Sequence, residues 1–171
     1  MMFHLTFWLG CMKKSYRVLL HGLVLACSAL INQAYAAEPP YGYNAELAKQ
    51  LGADDYGMKS YIFVTLLTGE ADARITDQAE RTRLFAGHFA NMGKLADEGH
   101  LVLAGPFVDA KPKRGLFILN TESMEEARQW VMADPAVQAG IFTFELSKYY
   151  GSAALMQVKA IHQTIQKNAV E

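Results

Sequence analysis

Cysteine is almost absent from this chain. Two cysteines occur among its 171 residues, Cys11 and Cys27, and both lie in the N-terminal part. From residue 28 onward there is no thiol, so this part of the chain can form no disulfide, no thiolate metal site and no cysteine nucleophile.

An excess of basic residues is lacking as well. The chain has 16 Lys and Arg against 17 Asp and Glu, and three of the basic but none of the acidic residues lie before residue 37. Residues 37–171 therefore carry 13 basic and 17 acidic residues, a net charge of about −4. This mildly acidic balance argues against nucleic acid as a partner.

An apolar run of the roughly 20 residues that span a bilayer is also missing. The run at residues 18–31 is shorter, follows the basic residues Lys13, Lys14 and Arg17, and ends near Ala34-Tyr35-Ala36. These are the three parts of a secretory signal peptide. We expect cleavage after Ala36, and hence a periplasmic or secreted protein that keeps no stable transmembrane segment.

Two features of this N-terminal segment stay open. Translation could begin at Met1, Met2 or Met12, because Met12 directly precedes the basic residues. A lipid anchor at Cys27 is the alternative to cleavage after Ala36, since ValLeuAlaCys loosely resembles a lipobox, although Leu25 fits that motif poorly.

The 135 residues after Ala36 are enough for one domain with a core but hardly for two. Their apolar patterns and capping residues predict strands and helices in the order βαββαβ, the ferredoxin-like arrangement with an antiparallel four-stranded sheet. The predicted strands are 61–67, 100–105, 116–120 and 141–146, and the predicted helices are 77–98 and 123–133. This is an α+β fold.

Segments on either side complete the predicted organisation. Residues 1–36 are the signal peptide, and residues 37–57 form a lead-in with a short helix from Asn44 to Leu51. Residues 58–150 form the ferredoxin-like domain, and residues 151–171 are a C-terminal extension whose positions 153–168 form an amphipathic helix.

The first and third predicted strands are apolar on both faces, and in this topology they are the central strands. Two helices cover one face of the sheet, so the other face needs a cover. We infer a homodimer that packs sheet against sheet. The alternative is that the C-terminal helix folds back over this face.

His88 is the titratable residue of the apolar segment LFAGHFANM, residues 84–92. At about 100° per residue, it falls within about 60° of Leu84, Phe85, Met92 and Leu95 on the helical wheel, so it points towards the sheet. It is either a core histidine bonded to a backbone carbonyl or a general acid or base at the floor of a pocket.

Asp134 precedes Pro135, a pair that typically begins a short helix. A structural cap and a functional carboxylate are both consistent with this position, and the spacing does not show that Asp134 meets His88.

Lys111, Lys113 and Arg114 could attract a carboxylate or phenolate, or they could form a solvated hairpin tip. Arg81 lies two turns before His88, where we expect it to reach solvent.

A zinc site is not expected, because the three histidines after Ala36 form no pair at ligand spacing.

Three segments resemble the YCII-related family in the right order. They are HFANMGKLADEGHLVLAGP at 88–106, RGLFILN at 114–120 and EEARQWVMADPAVQAG at 125–140, and the resemblance extends over about residues 58–150. It implies a dimeric α+β barrel with a catalytic dyad of His88 and Asp134 and with Gly105 and Pro106 at the pocket rim. Arg114 is then a candidate substrate-binding residue.

The resemblance also implies lyase-like chemistry on small hydroxylated rings. The signal peptide, lead-in and C-terminal extension depart from the family pattern, so a relative's cytoplasmic substrate should not be transferred. Three interpretations follow: an exported lyase-like or isomerase-like enzyme that needs no cofactor, a non-catalytic small-molecule binding or accessory protein, and a haem protein with His88 as axial ligand.

Overall fold

A computed structural model describes residues 42–108 and 111–168. The predicted signal peptide, its cleavage site after Ala36 and the alternative lipid anchor at Cys27 lie outside these residues. Within them, no helix is both long enough and apolar enough to cross a bilayer.

The described chain begins with a short helix, continues as a βαββαβ unit and ends in a helical tail. Its elements are α1 (Ala45–Leu51), β1 (Met58–Thr68), α2 (Gln78–Asp97), β2 (Leu101–Pro106), β3 (Lys113–Leu119), α3 (Met124–Met132), α4 (Pro135–Gln138), β4 (Phe142–Ser152), a 3-10 turn (Ala153–Gln157) and α5 (Val158–Ile165).

The four strands form one antiparallel sheet in the order β2-β3-β1-β4. The central strands are therefore β3 and β1, the two whose sequences are apolar on both faces. The ferredoxin-like α+β fold predicted from the sequence is confirmed.

Helices begin where the capping residues predict. Asp77 accepts a hydrogen bond from the Glu80 amide at 2.8 Å, and Ser123 accepts one from the Glu126 amide at 3.2 Å. These caps satisfy amides that lack a partner within the first turn of each helix. Helices α2 and α3 then pack their apolar sides on Ile62, Val64, Leu66, Phe117 and Leu119, which share one face of the sheet.

The strand β4 is longer than predicted. It pairs with β1 along the whole length of both strands, from Met58 opposite Ser152 to Thr68 opposite Phe142. The apolar pattern ends at Leu146, but backbone hydrogen bonds continue the pairing through residues 147–152, which are mostly polar or aromatic. Strand length here depends on the partner strand rather than on the side chains.

The C-terminal tail is not the single helix predicted for residues 153–168. Its 3-10 turn places Leu155 and Met156 against Tyr61, Val102 and Ile118 on the second face of the sheet. Helix α5 then leaves this face, and the Lys159 Nζ donates to the Ala96 carbonyl at 2.8 Å and to the Asp97 carboxylate at 2.9 Å. The tail thus covers part of the second face and continues to the end of α2.

Gly87 allows α2 and α4 to pack closely. A Cβ atom placed on Gly87 would lie 2.8 Å from Pro135 Cγ and 3.1 Å from Pro135 Cβ. Such distances are too short for a side chain, and a proline ring has little freedom to move away. Because His88 follows Gly87 and Asp134 precedes Pro135, this contact also brings those two residues together.

Gly87→Ala and Gly93→Ala are matched substitutions within α2 that should have opposite effects. We expect Gly87→Ala to destabilise the domain by about 1–3 kcal/mol through overpacking against Pro135. Apart from its chain neighbours and the backbone of α2 itself, a Cβ atom on Gly93 would meet no described atom within 4 Å. Gly93→Ala should therefore raise stability, by up to about 1 kcal/mol, through helix propensity.

Urea denaturation of both variants measures these changes. A Gly87→Ala variant as stable as the Gly93→Ala variant would contradict the close approach of α2 and α4.

Candidate active site

His88 lies on the inner side of α2, as the helical wheel predicts. Its side chain is 9% exposed. Four aromatic rings enclose the imidazole: their centroids lie 5.3 Å away for Phe142, 5.4 Å for Phe89, 6.1 Å for Phe117 and 6.3 Å for Phe85. The imidazole is thus held in an apolar, largely water-free environment.

Asp134 is fully buried and uses its two carboxylate oxygens separately. Oδ1 accepts a hydrogen bond from the Ala136 amide at 2.8 Å and so caps α4. Oδ2 lies 2.5 Å from His88 Nδ1. Asp134 therefore caps α4 with one oxygen and contacts His88 with the other, and its catalytic role stays a prediction.

This arrangement fixes the orientation of the imidazole. With Nδ1 directed at the Asp134 carboxylate, a ring that carries one proton places it on Nδ1, and Nε2 is the nitrogen that can accept another. A buried carboxylate is stable only when it is paired and hydrogen-bonded. His88 and the α4 amide meet that requirement together.

Arg114 is turned towards this side of the sheet by a β-bulge. Leu66 pairs with Gly115 and Leu67 with Lys113, so Arg114 is an extra residue in β3. Its guanidinium lies 5.2 Å above the Phe142 ring, and Nη1 is 3.0 Å from the Asp72 carboxylate. Bulges commonly redirect a side chain beside a site. Lys111 and Lys113, by contrast, are exposed.

Arg81 is not directed into solvent as expected from its position on the helix. Its Nη2 lies 2.9 Å from Asp72 Oδ1, and its Nη1 donates to the carbonyls of Asp72 and Ile75. The loop between β1 and α2 folds back and supplies these acceptors, which helix periodicity could not reveal. Asp72 therefore joins Arg81 to Arg114.

Asp72 is the carboxylate whose titration this network changes. Burial raises its pKa, but the hydrogen bond from Arg81 and the charges of Arg114 and Arg81 outweigh burial, and the pKa lies below the ordinary 3.8. Because the folded-state pKa is lowered, the ion pairs of Asp72 contribute their full stabilisation at pH values above the unfolded-state pKa of about 3.8. The contribution is lost as the pH falls through the lowered value.

Gly105 and Pro106 end β2, but they differ in orientation. Pro106 pairs with Gly115 and lies on the same face as Phe117 and His88, at an exposed end of the strand. Gly105 pairs with Leu116, whose side chain belongs to the second face. Gly105 thus contributes only backbone to the predicted rim.

Haem ligation through His88 would have to use Nε2, since Nδ1 faces Asp134. The rings of Phe89, Phe117 and Phe142 lie 5.3–6.1 Å from the imidazole, and a macrocycle would have to displace them to reach it. In residues 42–108 and 111–168, no group of three or more His, Cys, Asp or Glu side chains is placed to bind a metal ion.

Comparison with known proteins places these residues in a family. The family model of the YCII-related domain matches residues 62–145. The chain contains a YCII-related domain. His88, Asp134 and Arg114 lie within the matched range, whereas α1 and α5 lie outside it. The YCII-related domain therefore includes the whole candidate site.

Among solved structures, the domain is similar to a 5-chloro-2-hydroxyhydroquinone dehydrochlorinase from Burkholderia phenoliruptrix AC1100, in complex with 2,5-dihydroxybenzoquinone. The two share 21% sequence identity over 52% of this chain and 92% of that one, with a TM-score of 0.39. Similarity at this level does not transfer that enzyme's substrate or reaction. No protein with a curated description matches the chain.

Sequence reasoning missed the aromatic enclosure and the Asp72 network. Phe117 and Phe142 lie on strands whose apolar residues alternate between two faces, and only the pairing register decides which of them contact His88. Asp72 belongs to a loop, and no local pattern signals its partners. The β-bulge at Arg114 likewise leaves no mark in the sequence.

Substitutions of Asp134 separate its two roles. We expect Asp134→Ala to destabilise the domain by about 2–4 kcal/mol, because it removes the α4 cap and leaves His88 Nδ1 without a partner. Asp134→Asn keeps a capping oxygen, so it should lower the free energy of unfolding clearly less than Asp134→Ala does. Asp77→Ala, which removes only an exposed cap, is the control, with a cost of about 1 kcal/mol. Equal losses for Asp134→Ala and Asp77→Ala in thermal denaturation would contradict the buried pair.

Proposed function

We propose that the chain is an exported small-molecule enzyme, a lyase or isomerase that needs no cofactor, in which His88 is the general acid and base. One observation carries the proposal: the 2.5 Å contact between His88 Nδ1 and the fully buried Asp134 carboxylate, within an aromatic enclosure. A carboxylate that orients an imidazole and stabilises its protonated form is a common means of proton transfer.

The proposed reaction moves one proton through Nε2. Nε2 accepts a proton from a carbon or hydroxyl of the ligand, and Asp134 stabilises the imidazolium that forms. In an isomerisation, Nε2 returns the proton to a different atom of the ligand. In an elimination, the electron pair of the broken C–H bond forms the new double bond while the leaving group departs from the neighbouring carbon with its own electron pair.

Arg114 is the proposed recognition residue for a ligand carboxylate or phenolate. Asp72 engages its Nη1, and a guanidinium has five N–H groups in all, which leaves further donors for an anion. Its position over Phe142, which itself contacts His88, places the charge one ring away from the dyad. Pro106 and the Gly105 backbone form the proposed rim on the same end of the sheet.

A non-catalytic binding protein is the alternative, and the enclosure of His88 favours it. With 9% of its side chain exposed, His88 offers a ligand little accessible surface. A protein that binds a ligand through Arg114 and the surrounding rings would need no contact with Nε2. The two functions differ in whether a ligand proton exchanges with solvent.

Exchange of ligand protons in deuterium oxide distinguishes these functions. Phenols, hydroxyquinones and hydroxy-substituted carboxylates are screened for binding, and NMR follows the loss of ligand C–H signals with catalytic amounts of protein. We expect exchange with the wild type and a loss of about hundredfold or more in His88→Asn, since general acid–base catalysis contributes about that much.

The His88→Asn variant is suited to this test because its amide can still donate to Asp134. His100→Asn is the matched control, since His100 stacks on Trp130 at 4.1 Å, away from the dyad. Undiminished exchange by His88→Asn would contradict the mechanism. Binding without exchange by the wild type would support the non-catalytic alternative.

We further propose that two copies pack through the second face of the sheet. Phe63 and Leu116 on this face are only half-buried, and Tyr149 is 39% exposed. Apolar and aromatic surface of this kind is typical of an interface. Sedimentation should give a dimer for the wild type and a smaller species for Leu116→Lys. A monomeric wild type at micromolar concentration would contradict this assembly.

Export is proposed from the N-terminal sequence. The basic residues, apolar run and Ala-Tyr-Ala site support it. Mass spectrometry of the protein from a cell envelope or culture fraction should show Ala37 as the first residue. A chain that retains residues 1–36 in the cytoplasmic fraction would overturn the proposal.

A further inference from the structure

A groove lies between α2, β2 and α5, apart from the His88–Asp134 dyad. Its volume is about 560 Å³, which is in the range of pockets for small organic ligands. One wall is α5, a part of the C-terminal extension beyond the YCII-related domain. The groove is therefore a feature of this chain rather than of the matched domain alone.

The groove has an apolar floor and a polar mouth. Met92 of α2, Leu103 and Ala104 of β2 and Val158 of α5 contribute apolar side chains. At the mouth, α5 contributes Lys159, His162, Gln163 and Gln166, of which the last three are exposed. A ligand with an apolar body and one polar end would match both the floor and the mouth of the groove.

Gly93 is an unusual residue for the middle of α2, and it lines the groove. Glycine inside a helix costs about 1 kcal/mol relative to alanine, so its presence needs a reason. Gly87 in the same helix has one, since a Cβ atom there would strike Pro135. A Cβ atom on Gly93 would instead enter open space, so packing does not require glycine at this position.

We propose that the groove binds a small amphiphile with an apolar body and an anionic head group, and that Gly93 keeps the space for its body free. Lys159 is the cationic side chain of the lining. Its Nζ already donates to the Asp97 carboxylate at 2.9 Å and to the Ala96 carbonyl at 2.8 Å, so its third N–H and the His162 ring are the donors left for an anionic head group.

This site is distinct from the dyad. Of the four rings that surround His88, Phe89 is the one that also lines the groove, and its centroid lies 5.4 Å from that of the imidazole. Neither His88 nor Asp134 is among the residues that line the groove. A ligand in the groove would contact Phe89 and would not need to reach His88 Nε2.

Two fluorescent probes test the proposal. Anilinonaphthalene sulfonate has an apolar body and an anionic head, and N-phenyl-1-naphthylamine has a similar body without the charge. Titrations use the wild type and Gly93→Leu, whose side chain should fill the groove without disturbing the helix backbone. Gly93→Ala is the control for helix propensity, because a single methyl group leaves most of the volume open.

We expect Gly93→Leu to weaken the binding of both probes by about tenfold or more, and Gly93→Ala to change it less than about twofold. His162→Ala should weaken the sulfonate about threefold or more and leave the neutral probe nearly unchanged. Thermal denaturation checks that Gly93→Leu is at least as stable as the wild type.

Other results would overturn the proposal. Equal probe binding by Gly93→Leu and the wild type would show that the probes bind elsewhere. If His162→Ala weakened the binding of both probes equally, the result would contradict the proposal that the groove recognises an anionic head group. If Gly93→Leu instead changes the sedimentation coefficient, the groove is a contact between copies of the chain and not a small-molecule site.

Discussion

The contact between His88 Nδ1 and Asp134 Oδ2 is the interaction on which the rest of the domain depends. A carboxylate with no solvent exposure is costly unless every oxygen has a partner. Here one oxygen caps α4 and the other meets the imidazole, so the position of α4, the rotation of α2 and the orientation of the ring are fixed together. Gly87 allows this by letting α2 approach Pro135.

The sheet completes the environment of this pair. Antiparallel pairing of β3 and β4 with β1 brings Phe117 and Phe142 beneath α2, although they lie far apart along the chain. Their rings exclude water from the imidazole, which strengthens the electrostatic interaction with Asp134. At the outer end of the sheet, the β-bulge directs Arg114 towards the same side and Asp72 holds it there. The Phe142 ring thus contacts both the buried His88 and the Arg114 guanidinium nearer the surface.

Sequence periodicity and capping residues predict most of the fold. The strand and helix order, the central strands and the caps at Asp77, Ser123 and Asp134 follow from local patterns, because apolar spacing and capping act within a few residues. The inward direction of His88 follows in the same way. The bounds of β4 and the break in the C-terminal tail do not, since pairing with β1 and packing on the second face determine them.

The partner of His88 could be named only through the family resemblance. Forty-six positions separate it from Asp134, and no spacing rule connects a helix residue to a loop carboxylate over that distance. Arg81 shows the same limit: its helical position suggested solvent, whereas the loop acceptors that bind it depend on tertiary structure. The groove beside Gly93 depends on α5, whose placement the amphipathic pattern alone could not give.

The protonation state of the two ring nitrogens of His88 tests the central claim most directly. Long-range proton–nitrogen correlation NMR on uniformly labelled protein identifies which nitrogen carries the proton when the ring has one. A proton on Nδ1, coupled to a strongly deshielded signal that Asp134→Asn removes, is the result expected for this pair. A proton on Nε2, with the signal unchanged by Asp134→Asn, would show that the carboxylate does not hold the imidazole and would contradict the account.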